Sequence, residues 1–231
     1  MLADPGSKTI QAYGVLNQDG MGMWKGLARP GYFFIDPNGV IREKFFDPKY
    51  REHLTGNSLI GKLFPELGQE VTATVEAPHL QLALEQSDPI GVSGSHVTLV
   101  AEVRLPPDVH VYAPGTHGYK PIHLAIEPVP QVTLEPEVYP ASKILYLPAI
   151  KESVPIFEGT FRISQDVQVR TGSESLGPLG PDGKIITISG KLEYQACDKT
   201  ICYLPTSVPV KWELRVIPFD RTRAPMDVRH K

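Results

Sequence analysis

The sequence lacks several features that would assign it to a common functional class. None of its apolar stretches approaches the roughly 18 residues that a membrane-spanning helix needs. Lys and Arg number 23 against 26 Asp and Glu, and the net charge of −3 argues against nucleic-acid binding as a main task. A glycine-rich phosphate loop, a GxSxG elbow and an HExxH helix are all missing. These absences predict no membrane span and leave phosphate-loop and hydrolase chemistry with little support.

Proline and glycine are abundant instead. The 231 residues include 23 Pro and 20 Gly, spread between apolar stretches along the whole chain. Such regular punctuation favours many short strands and turns over long helices. The 41% share of hydrophobic residues is that of a globular protein, and the length suits one or two domains.

The first part of the chain is predicted to mix helix and strand. Residues 8–14 indicate a short helix that ends at Gly14, a plausible C-terminal cap. Residues 31–46 predict two strands joined by a turn of Asp, Pro, Asn and Gly. Residues 47–63 predict a weak amphipathic helix that Gly56 interrupts.

From about Glu70 onwards, apolar and polar residues alternate as in strands with one buried face. The clearest alternation occurs at residues 95–103, 184–196 and 207–216, and poorer alternation at residues 79–86, 119–126, 131–138, 154–163 and 166–170. Seven to nine strands separated by Pro and Gly turns predict an antiparallel β-sandwich. The domain boundaries that follow are a first segment at 1–62, a linker at 63–69, the sandwich at 70–218 and a flexible tail at 219–231.

The only two cysteines, Cys197 and Cys202, enclose four residues between two predicted strands. A hairpin with a short loop sets its flanking residues opposite each other, so a disulfide can form locally. The loop-entropy model gives so small a ring roughly 2 kcal/mol, which makes it a poor staple, and bonds across tight turns exchange readily. Three interpretations stay open at this point: a reactive pair, a static hairpin disulfide, or half of a zinc site.

The residues around the cysteines resemble a known family. The stretch YQACDKTICYLPTSVPVKWEL is similar to the N-terminal domain of the thiol:disulfide interchange protein DsbD, also called the disulfide bond corrector domain. The residues that match the family pattern are Tyr194, Gln195, Cys197, Cys202, Tyr203 and Pro205. Residues 105–124, LPPDVHVYAPGTHGYKPIHL, resemble the part of the family that places aromatic residues beside the cysteine pair. The resemblance covers about residues 70–218.

The resemblance implies an immunoglobulin-like sandwich with one redox-active cysteine pair. Cys202 would attack partner proteins and Cys197 would be its mate, with His110, Tyr112, Tyr194 and Tyr203 as supporting neighbours. For His110 and Tyr112 the alternative is an ordinary strand end with a core tyrosine. Residues 114–118, PGTHG, are either a flexible cap over the cysteines or an ordinary turn.

The first segment has a resemblance of its own. Residues 26–46, GLARPGYFFIDPNGVIREKFF, are similar to the second half of a thioredoxin-like redoxin of the AhpC/TSA group. Pro30 falls where that family carries its cis-proline. Residues 1–62 contain no cysteine, which argues against peroxidase activity in this chain. We therefore expect a partial redoxin fused to the sandwich, with a second chain or a docked remnant as the alternatives.

The expected function is thiol–disulfide exchange through Cys197 and Cys202, without a metal or an organic cofactor. The resemblance implies a thioredoxin-like partner domain, in the same chain or another, and disulfide-bearing client proteins. The alternative is a non-enzymatic protein-binding sandwich with a structural hairpin disulfide. Family resemblance points to the periplasm, whereas MLADPGSKTI lacks the pattern of a signal peptide and, taken as given, points to the cytoplasm.

Overall fold

The computed structural model describes residues 4–22, 25–46, 53–67, 69–147, 151–170 and 176–218, and the chain divides into two compact units, Met1–Leu54 and Thr55–Lys231. Among these described residues, no helix has the length and apolar character needed to cross a bilayer. The predicted tail at 219–231 lies outside the described residues.

The first unit contains the predicted helix and hairpin. Helix α1 (Lys8–Ala12) follows a 3₁₀ turn, Pro5–Ser7, and the two strands of an antiparallel hairpin are β1 (Gly31–Ile35) and β2 (Ile41–Phe46). A two-residue strand, β3 (His53–Leu54), comes last. Asp36 closes the hairpin turn because its Oδ1 accepts the backbone N–H groups of Asn38 and Val40 at 2.9 and 3.0 Å. The predicted hairpin is therefore confirmed.

Two expectations for the N-terminal region need correction. The peptide bond before Pro30 is trans, so the cis-proline prediction is wrong. A trans bond is the favoured isomer before proline by about 0.5–1 kcal/mol unless packing opposes it, and Pro30 is only partly buried. Helix α2 (Gly56–Leu63) begins at Gly56 instead of being interrupted there, because Thr55 Oγ1 caps it by accepting the Ser58 N–H at 3.0 Å. This helix groups with the second unit. Residues 47–52 of the predicted helix lie outside the described residues.

The second unit is built almost entirely of strands. After α2 and a 3₁₀ turn (Pro65–Leu67) within the predicted linker, its strands are β4 (Glu70–Ala77), β5 (Leu80–Gln86), β6 (Ile90–Val92), β7 (Ser95–Arg104), β8 (His110–Tyr112), β9 (His123–Ile126), β10 (Val132–Val138), β11 (Lys143–Leu147), β12 (Glu152–Glu158), β13 (Thr160–Val169), β14 (Lys184–Tyr194), β15 (Ala196–Cys197) and β16 (Thr206–Ile217). The number of described strands in this unit exceeds the predicted seven to nine. Several of them have only two or three residues, which is too short to show alternation in the sequence. The two strands predicted at 154–163 and 166–170 are instead divided at Gly159, whose φ is 67°.

These strands form three sheets, which we number in Roman numerals. Sheet I has the order β10-β13-β7-β5-β4, sheet II has β6-β16-β14-β9, and sheet III has β11-β12-β8-β15. All these pairs are antiparallel except β6 with β16. The protein is thus mainly β, as predicted.

Sheets I and II bury their inner faces in one hydrophobic core. The alternating residues of β7 and β16 supply much of this core, with exposures of 0 to 7%: Val97, Leu99, Ala101, Val103, Val208, Val210, Trp212, Leu214 and Val216. The indole Nε1–H of Trp212 donates to the Glu85 carbonyl at 3.0 Å, so this buried polar group is satisfied. The arrangement is the predicted antiparallel, immunoglobulin-like sandwich.

Truncation of a core leucine tests this assignment. Leu99→Ala removes a fully buried side chain from a central strand, and it should lower the free energy of unfolding by about 2–5 kcal/mol. Leu67→Ala is the matched control: this side chain is 69% exposed, and the loss should stay within about 0.5 kcal/mol. Urea denaturation of both variants measures the difference. Equal losses in the two variants would contradict the described burial.

Candidate redox site

The two cysteines form a disulfide at the edge of sheet III. Cys197 ends β15 and Cys202 follows a four-residue loop, so the two residues face each other as an isolated antiparallel bridge with their Cα atoms 4.0 Å apart. Cys197 is 1% exposed, whereas Cys202 is exposed to solvent. The bond therefore joins a buried residue to an exposed one.

The buried sulfur lies in a small hydrophobic cluster apart from the main core. Cys197 packs there with Tyr112, Val154 and Ile156, and the partly buried Tyr119 joins them. The neighbouring Ala196 points the opposite way, into the main core, because successive residues of a strand alternate between faces. The strand thus fixes which sulfur is covered.

Tyr112 touches both sulfurs. Its hydroxyl oxygen lies 3.4 Å from the Sγ of Cys197 and 3.4 Å from the Sγ of Cys202. The side chain is 1% exposed, and this burial raises the pKa of the Tyr112 phenol, with the neighbouring Tyr119 adding to the shift. The phenol therefore remains protonated and can donate a hydrogen bond toward a sulfur.

Residues 114–118, which were predicted to be either a cap or a turn, bring the chain back to Tyr112. Thr116 Oγ1 donates to the Ala113 carbonyl at 2.8 Å, which makes residues 114–118 a folded turn. Just after it, the Tyr119 ring stacks on Tyr112 at 4.3 Å between centroids. Tyr119 therefore covers the ring that contacts the disulfide, a role the sequence analysis missed. An aromatic residue in a loop gave no periodicity from which to place it.

Asp198 holds the loop between the cysteines closed. Its Oδ1 accepts the N–H of Ile201 at 2.9 Å and both the N–H and the hydroxyl of Thr200 at 2.7 Å, while its Oδ2 accepts the Tyr203 hydroxyl at 2.7 Å. These donors, led by the Ile201 and Thr200 groups, hold the pKa of the Asp198 carboxyl well below its usual range. Asp198 is therefore ionised, and its hydrogen bonds hold the loop in place.

Tyr203 anchors the far side of the same loop. Its ring stacks on His79 at 3.6 Å between centroids, and its backbone N–H donates to the Ala196 carbonyl at 2.9 Å. Gln195 Nε2 donates to the Tyr203 carbonyl at 3.0 Å. These contacts fix Tyr203 at the end of the loop that carries Cys202.

His110 also lies at the disulfide, directly opposite Cys197 in the pairing of β8 with β15. Tyr194, by contrast, packs in the main core at 0% exposure and donates its hydroxyl to the Pro78 carbonyl at 2.6 Å. Burial raises the pKa of Tyr194 to about 12. Sheet III and its loops therefore bring together Cys197, Cys202, His110, Tyr112 and Tyr203, while Tyr194 supports the fold.

Among the described residues, no group of three or more His, Cys, Asp or Glu side chains is placed to hold a metal ion. The chemistry that the site offers rests on the two sulfurs and on the hydroxyl, imidazole and carboxylate groups around them.

The family model described as "Thiol:disulfide interchange protein DsbD, N-terminal" matches residues 81–212, which is more than half of the chain. The chain belongs to this family. The matched range includes both cysteines and all four supporting residues predicted from the sequence. A second family model, the AhpC/TSA family, matches residues 1–44 of this DsbD N-terminal family member.

Two solved structures are similar to this DsbD N-terminal family member. The N-terminal periplasmic domain of ScsB from Proteus mirabilis matches with a TM-score of 0.43 and 13% identity, over 62% of this chain and 51% of that chain. The reduced DsbD N-terminal domain of Neisseria meningitidis matches with a TM-score of 0.35 and 11% identity, over 51% and 77% of the two chains. The chain thus spans about half the length of the ScsB domain. No curated protein sequence gives a significant match.

We call the Asp198 carboxylate with its four hydrogen bonds the clasp, and this arrangement predicts a measurable shift in the pKa of Asp198. Its carboxyl should titrate below the usual value of about 3.9 in the folded protein, because the ionised form accepts four hydrogen bonds. Its contribution to stability should be complete above that value and be lost as the pH falls through the depressed pKa. Carboxyl ¹³C NMR of the oxidised chain measures this directly.

The variant Tyr203→Phe tests whether these hydrogen bonds are what lowers the pKa of Asp198. Loss of the Tyr203 hydroxyl removes one donor, so the Asp198 pKa should rise toward the usual value. Tyr146→Phe, at an exposed tyrosine on β11, is the matched control and should leave it unchanged. An Asp198 midpoint at or above the usual value in the wild type would contradict the clasp.

Proposed function

We propose that this chain exchanges electrons with partner proteins by thiol–disulfide exchange at Cys197 and Cys202. The observation that carries the proposal is the unequal exposure of the two cysteine residues: Cys202 is exposed and Cys197 is 1% exposed. An external thiol can reach only one end of the bond, so Cys202 is the residue that forms the mixed disulfide. Membership of the DsbD N-terminal family supports the same chemistry.

The reduction of the site proceeds in two displacements. A partner thiolate attacks Cys202 Sγ, the bond between Cys202 and Cys197 breaks, and Cys197 leaves with the electron pair as a thiolate. The second thiolate of the partner then attacks the partner sulfur that is bonded to Cys202, and Cys202 is released as a thiolate. Two electrons enter the site, and the partner dithiol becomes a disulfide. The reverse sequence reduces a disulfide-bearing client.

The partners that we propose are a thioredoxin-like domain as electron donor and disulfide-bearing proteins as clients. The match of residues 1–44 to the AhpC/TSA family supports a redoxin neighbour in the same protein. Those residues contain no cysteine, so the donor thiols must come from elsewhere, in the same protein or another chain. The exposed side chains of Ile201 and Leu204 beside Cys202, at 54% and 86%, offer apolar contact surface to such a partner.

A redox titration tests whether the bond exchanges at all. The purified chain is equilibrated in glutathione or dithiothreitol buffers, alkylated and analysed by intact mass. We expect a reversible midpoint between about −270 and −120 mV, the range of exchange proteins. A bond that resists reduction below about −300 mV would be a structural staple, and the binding-module alternative would then replace the proposal.

Single cysteine variants test which sulfur forms the mixed disulfide. Cys197→Ser leaves the accessible Cys202 and should accumulate a stable mixed disulfide with oxidised glutathione. The matched variant Cys202→Ser leaves the buried Cys197, which should react at least about tenfold more slowly because its thiol is covered. Equal rates in the two variants would contradict the assigned roles.

A further inference from the structure

A row of three side chains crosses sheet III beside the buried sulfur. His110 on β8 is the direct partner of Cys197 on β15, and on its other side it is the direct partner of Glu158 on β12. Directly opposed residues of antiparallel strands project from the same face, with Cβ atoms about 4.5–5.5 Å apart. The side chain of His110 therefore projects from the same face of the sheet as those of its two neighbours, Glu158 and Cys197.

Because Cys197 is buried, its thiol needs a neighbouring group with which it can exchange a proton. Cys197 must become a thiol whenever the site is reduced and lose that proton whenever the disulfide forms again. At 1% exposure it has little direct access to water, so the proton has to pass through a neighbouring group. The Tyr112 hydroxyl lies 3.4 Å away, but burial raises the pKa of this phenol and makes it a poor proton acceptor at neutral pH.

Two carboxylates and one aromatic ring lie around His110. Glu158 faces it from β12 and is itself ion-paired with Lys143 of β11, and Asp198 faces it from the loop after β15. Tyr112 on its own strand lies edge-on at 5.8 Å between ring centroids. Partial burial lowers the pKa of His110 from the usual 6.5, and the two carboxylates oppose that shift. The imidazole is therefore mostly neutral at pH 7 and has a free nitrogen to accept a proton.

We propose that His110 is the proton acceptor for Cys197 when the site transfers its electrons to a client. Cys202 first forms the mixed disulfide. The Cys197 thiol then passes its proton to the imidazole and attacks Cys202 Sγ. The intramolecular disulfide forms, the mixed disulfide breaks, and the client sulfur leaves with the electron pair. In the reverse direction the imidazolium returns the proton to Cys197 as it leaves Cys202. This inference rests on the proposed function.

The test follows the two steps separately. The reduced chain is mixed with oxidised glutathione, quenched with acid at intervals and analysed by intact mass, which distinguishes the mixed disulfide from the closed disulfide. In His110→Gln, closure at pH 7 should slow on the order of 100-fold, within the range of general-base effects, while formation of the mixed disulfide changes little. His123→Gln, on a strand of sheet II, is the matched control and should behave as the wild type.

The pH profile separates proton transfer from a merely structural role. Closure in the wild type should rise to a plateau through an inflection below about 6.5, whereas His110→Gln should keep rising into the thiol range near 8.5. Glu158→Gln and Lys143→Gln both break the same ion pair. The first removes a negative charge and should move the inflection to lower pH, and the second removes a positive charge and should move it to higher pH.

The outcomes distinguish this inference from the proposed function. If the wild type forms no mixed disulfide or never closes it, the proposed function fails. If the wild type cycles and His110→Gln closes with the same rate and pH profile, only the role of His110 fails. If His110→Gln does not fold, as judged by circular dichroism, the opposite shifts of the Glu158 and Lys143 variants decide, and shifts in the same direction or none would overturn the inference.

Discussion

The pairing of β15 with β8 is the contact on which the whole site depends. It consists of only two residue pairs, Ala196 with Val111 and Cys197 with His110. Ala196 and Val111 face the main core, so the next residue of each strand must face the other way. That alternation places Cys197 in the small cluster under Tyr112. A slip of one residue would instead direct the sulfur into the main core, away from Tyr112.

The loop that returns to Cys202 is held in place by contacts of its own side chains. The Asp198 carboxylate orders the loop by accepting backbone and hydroxyl protons, and Tyr203 extends this anchor to His79. Lys199, in the same loop, has an exposed ammonium group that is ion-paired with Asp108. The loop therefore gives Cys202 a defined position.

The sequence was informative where periodicity or spacing was local. The long strands β7, β14 and β16 followed from alternation, and the close cysteine spacing indicated a hairpin disulfide. Strands of two or three residues, such as β8 and β15, are too short to show a period, and they are the ones that build the site. The pairing of His110 with Cys197 joins residues far apart in the chain, which no local pattern encodes. The cis-proline prediction at Pro30 was wrong for a related reason. The choice between the cis and trans isomers depends on packing around the bond, and a resemblance in sequence does not supply that packing.

The unequal burial of the two sulfurs determines which residues can tune the reaction. In the proposed exchange a partner reaches only Cys202, so Cys197 is the leaving group in reduction and the resolving thiol in oxidation. An apolar cluster disfavours its thiolate, and a poor leaving group slows exchange unless neighbours stabilise or protonate it. The Tyr112 hydroxyl can donate a hydrogen bond to that sulfur, and His110 stands opposite it in the sheet. Control of the exchange therefore lies on the buried side of the bond, although partner recognition lies on the exposed side.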